Sequence, residues 1–369
     1  MLFYLTDSLI VSEQDVNFKS IYQAVHCIAN QVADGSHLLT GDEEVLLYFR
    51  KIFQHDLIIG QLFNHLYQNY ATAMVPSCLT FYLEVVAVVN IPLRFERDTE
   101  IVQMHYSYFS SLDRVSRTIL ICEDLNDTCF FRHVLDWYMK DKGNLRYAVH
   151  GIGAGGRNVH RTVSDELSHK HICICIIDTD KKYEGCIPEQ DGTYGLCVGI
   201  GNNVPYYKFL PLNVHEIENL IPLNYIDKFD VWINGRLDDK KNKRAFDYLI
   251  KDADNILPYF DYKKGIKKGQ MYDSQQEYRL LAQRCYEVNV ELKELYPDFD
   301  SFIDSLRTDI IYPHLIGGSG VLKRTLELIE NNELVDVEPV LIDFQKENWI
   351  NIGQAMLNWC VARNMEQIY

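Results

Sequence analysis

Acidic residues that directly follow apolar strands are the feature of this sequence with the clearest chemical meaning. Asp178 and Asp180 come straight after Ile172-Cys173-Ile174-Cys175-Ile176-Ile177, and Glu123 ends the run Ile119-Leu120-Ile121-Cys122. Two like charges held at the end of a buried strand repel, and a cation or solvent must offset them. Mg²⁺ and Mn²⁺ prefer carboxylate oxygens, and Mg²⁺ keeps several of its waters, so three or four acids make a site. Glu218, in Val214-His215-Glu216-Ile217-Glu218-Asn219, is the fourth candidate. Asn213 and Glu216 have the spacing of a capping box that opens a helix over 214–221. That gives Glu216 a structural duty which Glu218 lacks. Single strand-end acids are often turn formers or caps; on that reading Asp124 is solvated and Asp127 opens the next helix.

Such acids need a scaffold that gathers strand ends. The pattern predicts strands over 117–122, 145–149, 171–177 and 207–210, with helices over 127–139, 158–167 and 214–221. Short apolar strands alternating with helices imply a parallel sheet covered on both faces. In such sheets ligands collect at the carboxyl ends of the strands, and right-handed crossovers keep those ends close. Upstream, 1–112 reads as a mixed α/β domain: a β-rich start over 2–11, helices over 18–33 and 42–68, and one or two strands in 80–92. Downstream, 227–369 reads as mostly helical, with helices over 274–295, 320–331 and 350–363. The expected fold class is α/β with three domains: 1–112, 116–226 and 227–369.

The net charge is −16, which argues against indiscriminate binding to nucleic-acid backbones. Two local basic tracks run against it, Arg236 to Arg244 and Lys263-Lys264-Gly265-Ile266-Lys267-Lys268, and point to a chosen substrate. Ten scattered cysteines without a CxxC pair suit neither a disulfide scaffold nor a zinc ribbon. No apolar stretch reaches the roughly 20 residues that span a bilayer, and a cytoplasmic location is expected. Gly151-Ile152-Gly153-Ala154-Gly155-Gly156 satisfies GxGxxG but follows the second predicted strand. Arg157 and Asn158 stand where a P-loop has its lysine and hydroxyl, so a tight turn beside the acids, open to a backbone or a phosphate, is the modest reading. GxSxG and HExxH are absent.

Glu123 after the first strand, a glycine turn after the second and Asp178-Thr179-Asp180 after the third resemble, in that order, a TOPRIM domain. This is the metal-binding fold of topoisomerases, bacterial primases and OLD-family nucleases. Glu218-Asn219 is similar to the Glu-Asn that the nuclease branch often carries on a later helix, and Asp127 fits a further acidic position of that branch. The resemblance spans about 116–225. It departs at Cys122-Glu123-Asp124, where the family usually has Glu-Gly, and the chain lacks the Walker A motif of OLD proteins.

The chain looks closer to small stand-alone TOPRIM proteins of phage-defence operons than to OLD proteins. This implies a toxic effector restrained by a separate ATPase of ABC or SMC type. The resemblance further implies a central TOPRIM domain and a Mg²⁺- or Mn²⁺-dependent endonuclease cutting DNA or RNA, with structured RNA such as tRNA among the candidates. Glu123, Asp178, Asp180 and Glu218 would be catalytic, with Asp127 supporting the metal. Lys181, Lys182, Lys263 and Lys264 are the candidates for meeting the substrate's charge. No membrane is involved, and a homodimer is compatible. Two alternatives stay open: a non-catalytic regulatory or scaffold subunit, and primase- or topoisomerase-like phosphoryl transfer.

Overall fold

The computed structural model describes residues 1–70, 75–143, 145–200, 204–229, 237–265, 276–305 and 320–363. The chain divides into two compact units. One holds 1–176, 197–210 and 351–369; the other holds 177–196 and 211–350.

The first unit contains a five-stranded sheet. Its strands are β1 (Leu2–Leu5), β2 (Leu38–Gly41), β3 (Phe81–Val86), β4 (Leu93–Glu96) and β5 (Thr99–His105), in the order β2-β1-β3-β5-β4. All pairings are parallel except that of β4 with β5. Every residue of β3 is buried, as a central parallel strand covered on both faces requires. Glu84 lies on this strand because Arg94 grips its carboxylate through two bonds of 2.7 and 2.6 Å and Gln103 adds a third. Helix α1 (Phe18–Ala33) buries Ile21, Val25, Ile28 and Val32 along one face. The single helical region expected over 42–68 is two helices, α2 (Glu43–Ile52) and α3 (Leu57–Gln68). Asp56 makes the break: its Oδ1 accepts the amides of Ile58 and Ile59 and caps α3.

His37 is wholly buried in this unit, with Nε2 donating toward the carbonyls of Val115 and Ser116 at 2.9 Å. Burial holds its pKa well below the ordinary 6.5. Below pH 6.5 the unfolded chain therefore takes up a proton that the folded chain refuses. Stability should fall by about 1.4 kcal/mol per pH unit as the pH drops from there toward the folded pKa. Urea midpoints at pH 7 and 5 are expected to show this loss, and His37→Gln should remove its share, leaving that of the buried Met1 amino group, whose pKa burial lowers to about 5.

The second sheet of this unit uses β6 (Thr118–Cys122), β8 (Val149–Gly153), β9 (Cys173–Ile177) and β10 (Tyr207–Pro211), in the order β10-β9-β6-β8. β6 runs parallel to both β8 and β9, with Ile121 opposite Ile152 and Cys175. Every residue of β6 and β9 is buried. Helices α4 (Leu125–Met139) and α5 (Val159–Ser168) connect the strands. The second strand lies at 149–153 rather than 145–149, because β7 (Arg146–Tyr147) pairs separately with β11 (Val361–Ala362). Gly151 and Gly153 are therefore strand residues. A Cβ on Gly153 would meet Leu125 N at 2.3 Å and the Asp124 carbonyl carbon at 2.7 Å. Backbone cannot yield as a side chain can, so Gly153→Ala is expected to cost about 2–4 kcal/mol in urea denaturation.

The second unit is mostly helical among the described residues, with α6 (Leu237–Leu249), α7 (Gln276–Val288), α8 (Val290–Leu295), α9 (Gly320–Glu330) and the start of α10 (Asp343–Cys360). The helix expected over 274–295 breaks at Asn289, whose Oδ1 caps α8 through the amide of Leu292. α10 begins seven residues before the expected 350, and its buried Gln345 and Trp349 explain why. Among the described residues, no helix is long and apolar enough to cross a membrane.

Candidate active site

The turn after β9 is laced to the segment 212–215 within the second unit. Leu212 N donates to Ile177 O, Thr179 Oγ1 to Val214 O and Asp180 N to His215 O, at 2.9, 2.8 and 2.9 Å. His215 Nδ1 returns the link by donating to Lys181 O at 2.9 Å. The buried Thr179 thus anchors the turn, and the two acids beside it stay half-buried (Asp178) and exposed (Asp180). Asp180 has φ 51, a left-handed conformation that aspartate tolerates better than most residues.

The helix expected over 214–221 does not form; a single 3₁₀ turn, Ile217–Leu220, stands in its place. Nor does Asn213 cap Glu216, since its Oδ1 accepts Lys181 Nζ at 2.7 Å. Asn219 organises the segment. Its Oδ1 accepts Glu216 N at 2.6 Å, and its Nδ2 donates to Leu257 O and Phe260 O at 2.6 and 2.8 Å. Gln345 Nε2 donates to the carbonyls of Asn219 and Ile221, and Trp349 Nε1 to that of Leu220. A buried non-helical segment needs such partners for its backbone.

This frame holds a group of charges. Lys263 Nζ lies 3.2 Å from Glu216 Oε2 and 2.9 Å from Glu218 Oε1. Glu216 Oε1 accepts the amide of Tyr262 at 3.0 Å. The Glu218 side chain is 2% exposed, and its Oε2 has no hydrogen-bond partner among the described residues; the same is true of the buried Tyr262 hydroxyl. Burial, then the neighbouring Glu218, pushes the Glu216 carboxyl up to about 7. Burial works against the Lys263 ammonium, but Glu216 and Glu218 outweigh it, Asp178 adds to them, and its pKa rises. Burial likewise opposes the His215 imidazolium, yet Asp261, Glu216 and Asp180 raise its pKa above the ordinary value. Asp261 sits 3.6 Å from His215 Nε2, and that imidazole outweighs burial and lowers its pKa.

Of the predicted residues, Asp178, Glu218 and Lys263 share this group, while Asp180 is felt there through His215. The other lysines have separate engagements: Lys181 with Asn213, Lys182 with Glu189 at 2.9 Å, and Lys264 with Asp261 at 3.8 Å. The first basic track is partly neutralised, Lys243 by Asp227 and Asp247 and Arg244 by Glu291. Arg236, Lys267 and Lys268 lie outside the described residues. Sequence reasoning missed His215 and Asp261, whose ligand atoms lie, with one from Glu216, within 4.8 Å of one another. Their signal was proximity in sequence: His215 stands three residues before Glu218, and Asp261 two before Lys263. The His215 Nδ1–H bond to a backbone carbonyl is the outer-shell arrangement common for a metal-binding imidazole.

Glu123 and Asp127 belong to the first unit. Glu123 directly follows β6 and is half-buried, and its carbonyl accepts the amides of Gly155 and Gly156 at 2.9 and 3.0 Å. Both glycines have positive φ (77 and 61), so the glycine turn serves its own backbone and spends these amides there rather than on a phosphate. The helix opens at Leu125 instead of Asp127, and Asp124, exposed as expected, also caps it. Asp124 Oδ1 accepts Asn126 N, and Asp127 Oδ2 accepts Asp124 N, both at 2.8 Å. β6, which Glu123 follows, is a parallel neighbour of β9 in the sheet.

Fold and site together define an α/β protein with a parallel sheet and a buried acid–lysine group. Comparison of the chain with protein-family models, curated proteins and solved structures finds no match in any of the three.

Proposed function

We propose that this chain is a Mg²⁺- or Mn²⁺-dependent phosphodiesterase of TOPRIM type that cuts DNA or RNA. One observation carries the reading: Glu218 is almost wholly buried, beside Glu216 and Lys263, and its Oε2 has no partner among the described residues. A buried carboxylate oxygen without a donor is costly, and a hard cation removes that cost. The acids that would hold the ion are Glu218, Asp178 and Asp180, all in the second unit. When bound, the ion would make hydroxide from water available and stabilise the leaving oxygen. Lys263, kept charged by its two glutamates, would meet the negative charge that builds on the phosphate. A separate ATPase as regulator belongs to this proposal, as does a cytoplasmic effector role in anti-phage defence.

The test is incubation of the purified chain with labelled DNA, RNA and tRNA, with Mg²⁺ or Mn²⁺, alone and with a candidate ATPase of ABC or SMC type. Cleavage that EDTA stops is expected; none on any substrate, with or without the partner, ends the proposal. The second reading, a non-catalytic subunit, draws on the same lysine, which already balances much of the glutamate charge. Failure to take up Mn²⁺ in calorimetry would favour it.

A further inference from the structure

Four arginines, Arg117, Arg132, Arg146 and Arg363, line one pocket of about 360 Å³ in the first unit. They come from separate places in the sequence. Arg117 precedes β6, Arg132 lies on α4, Arg146 is on β7, and Arg363 follows β11. The β7–β11 pairing sets Arg146 opposite Ala362, and Ala148 N donates to Cys360 O at 2.8 Å to fix that edge. Arg363 N is held by His37 O at 3.2 Å. Gly151, part of the GxGxxG run, packs against Thr128, whose Oγ1 a Cβ would meet at 2.7 Å, and lies beside the Arg132 guanidinium, whose Nη2 that Cβ would meet at 3.2 Å.

Burying guanidinium groups against one another is unfavourable unless an anion pairs with them. Arg363 is only 8% exposed, and among the described residues its side chain has neither a carboxylate partner nor a hydrogen bond. Arg132 donates from Nη2 to Val149 O at 3.3 Å, while its buried Nε finds no acceptor among the described residues. The nearby acids answer these needs only in part, since Asp136 feels the Arg132 charge without a hydrogen bond to it among the described residues. Asp34 lines the rim and is exposed, and Asp136 accepts the Tyr147 hydroxyl at 2.7 Å. Arg117 and Arg146 are exposed at the mouth. The cationic surface thus deepens from open rim to buried floor, the shape of a receptor for a compact, multiply charged anion. A guanidinium fork matches phosphate oxygens two at a time. The volume falls in the range of small-ligand pockets and exceeds what one bare phosphate fills, and the half-buried Tyr147 ring gives one wall a flat apolar surface.

We propose that this pocket binds the phosphate groups of a nucleotide, either free or at the end of a nucleic-acid strand. The inference rests on the first unit alone and does not require the cleavage reading. Calorimetry of the full chain in EDTA, where metal-held phosphate at the acid group contributes nothing, is the test. The probes are pyrophosphate, ADP, and one oligonucleotide with a 5′-phosphate or a 5′-hydroxyl. Pyrophosphate and ADP are expected to bind more tightly than about 1 mM and to weaken as salt rises. Arg363→Gln and Arg132→Gln should each weaken binding about tenfold or more. Should either variant fail to fold, the exposed pair Arg117→Gln/Arg146→Gln carries the same test. Binding by the 5′-phosphate oligonucleotide alone identifies a strand end as the source, and binding by ADP without it identifies a free nucleotide. The proposal is overturned if no phosphate-bearing probe binds more tightly than about 1 mM, or if the arginine variants bind as the parent does.

Discussion

Glu218→Gln is expected to lower metal-dependent cleavage at least about a hundredfold while leaving the folded chain as stable as before, or more so. The two halves of this expectation come from one geometry. The side chain is 2% exposed, one oxygen is paired to Lys263 at 2.9 Å, and the other has no partner among the described residues. In the absence of a cation, a buried carboxylate with an unmatched oxygen is a liability to the fold. Glutamine has the same shape, removes the charge, and leaves Lys263 paired with Glu216 at 3.2 Å. With a cation, the lost charge is what the ion needed. A glutamate retained only for packing would behave in the opposite way, with activity following stability. Asp178→Asn should match it in activity. Turnover, urea midpoints and Mn²⁺ calorimetry on the same preparations separate the outcomes, and a loss of activity below about tenfold in both variants sinks the metal reading.

Strand-end chemistry was legible because it is written locally. Five buried residues of β9 lead straight into Asp178, and an apolar run followed by acids needs no tertiary knowledge to be noticed. The segment 213–221 was not legible in the same way. Val214, Ile217, Leu220 and Ile221 are all buried, as helical spacing suggested, yet the backbone there is a short 3₁₀ turn. Its hydrogen bonds go to Leu257 and Phe260, some 40 residues on, and to Gln345 and Trp349, more than 120 residues on. Periodicity reports burial and cannot report such partners. The same holds for the lysines. Lys263 and Lys264 are neighbours with identical local chemistry, and only the fold sets one between two glutamates and leaves the other exposed. β5 escaped notice because its apolar positions alternate with Glu100 and Gln103, a pattern shared with exposed loops. The glycine run was readable as a turn, but which of its residues belong to the strand depended on the close approach of the 124–125 backbone.

Asn219→Ala is expected to destabilise the chain by about 3–5 kcal/mol, the largest single loss of stability among these predictions. The residue is fully buried and its amide satisfies three backbone groups at once: Glu216 N, Leu257 O and Phe260 O. Alanine strands all three in a buried site, where each unmet group costs about 1–3 kcal/mol, less whatever water can enter the space. Asparagine at this position is also what joins the two stretches that carry the site. Glu216 and Glu218 flank it on one side of the bond, while Asp261 and Lys263 follow Phe260 by one and three residues on the other. Weakening that joint should therefore reduce Mn²⁺ affinity and cleavage even at temperatures where the variant remains folded. Asn219→Asp separates the two contributions. It keeps the acceptor for Glu216 N, loses the donor to both carbonyls, and adds a negative charge beside Glu216 and Glu218, so its loss should equal or exceed that of alanine. Urea denaturation of both variants checks the ranking. A cost below about 1 kcal/mol for Asn219→Ala would mean that the 216–221 turn is held without its amide, and that Gln345 and Trp349 suffice to keep the glutamates in place.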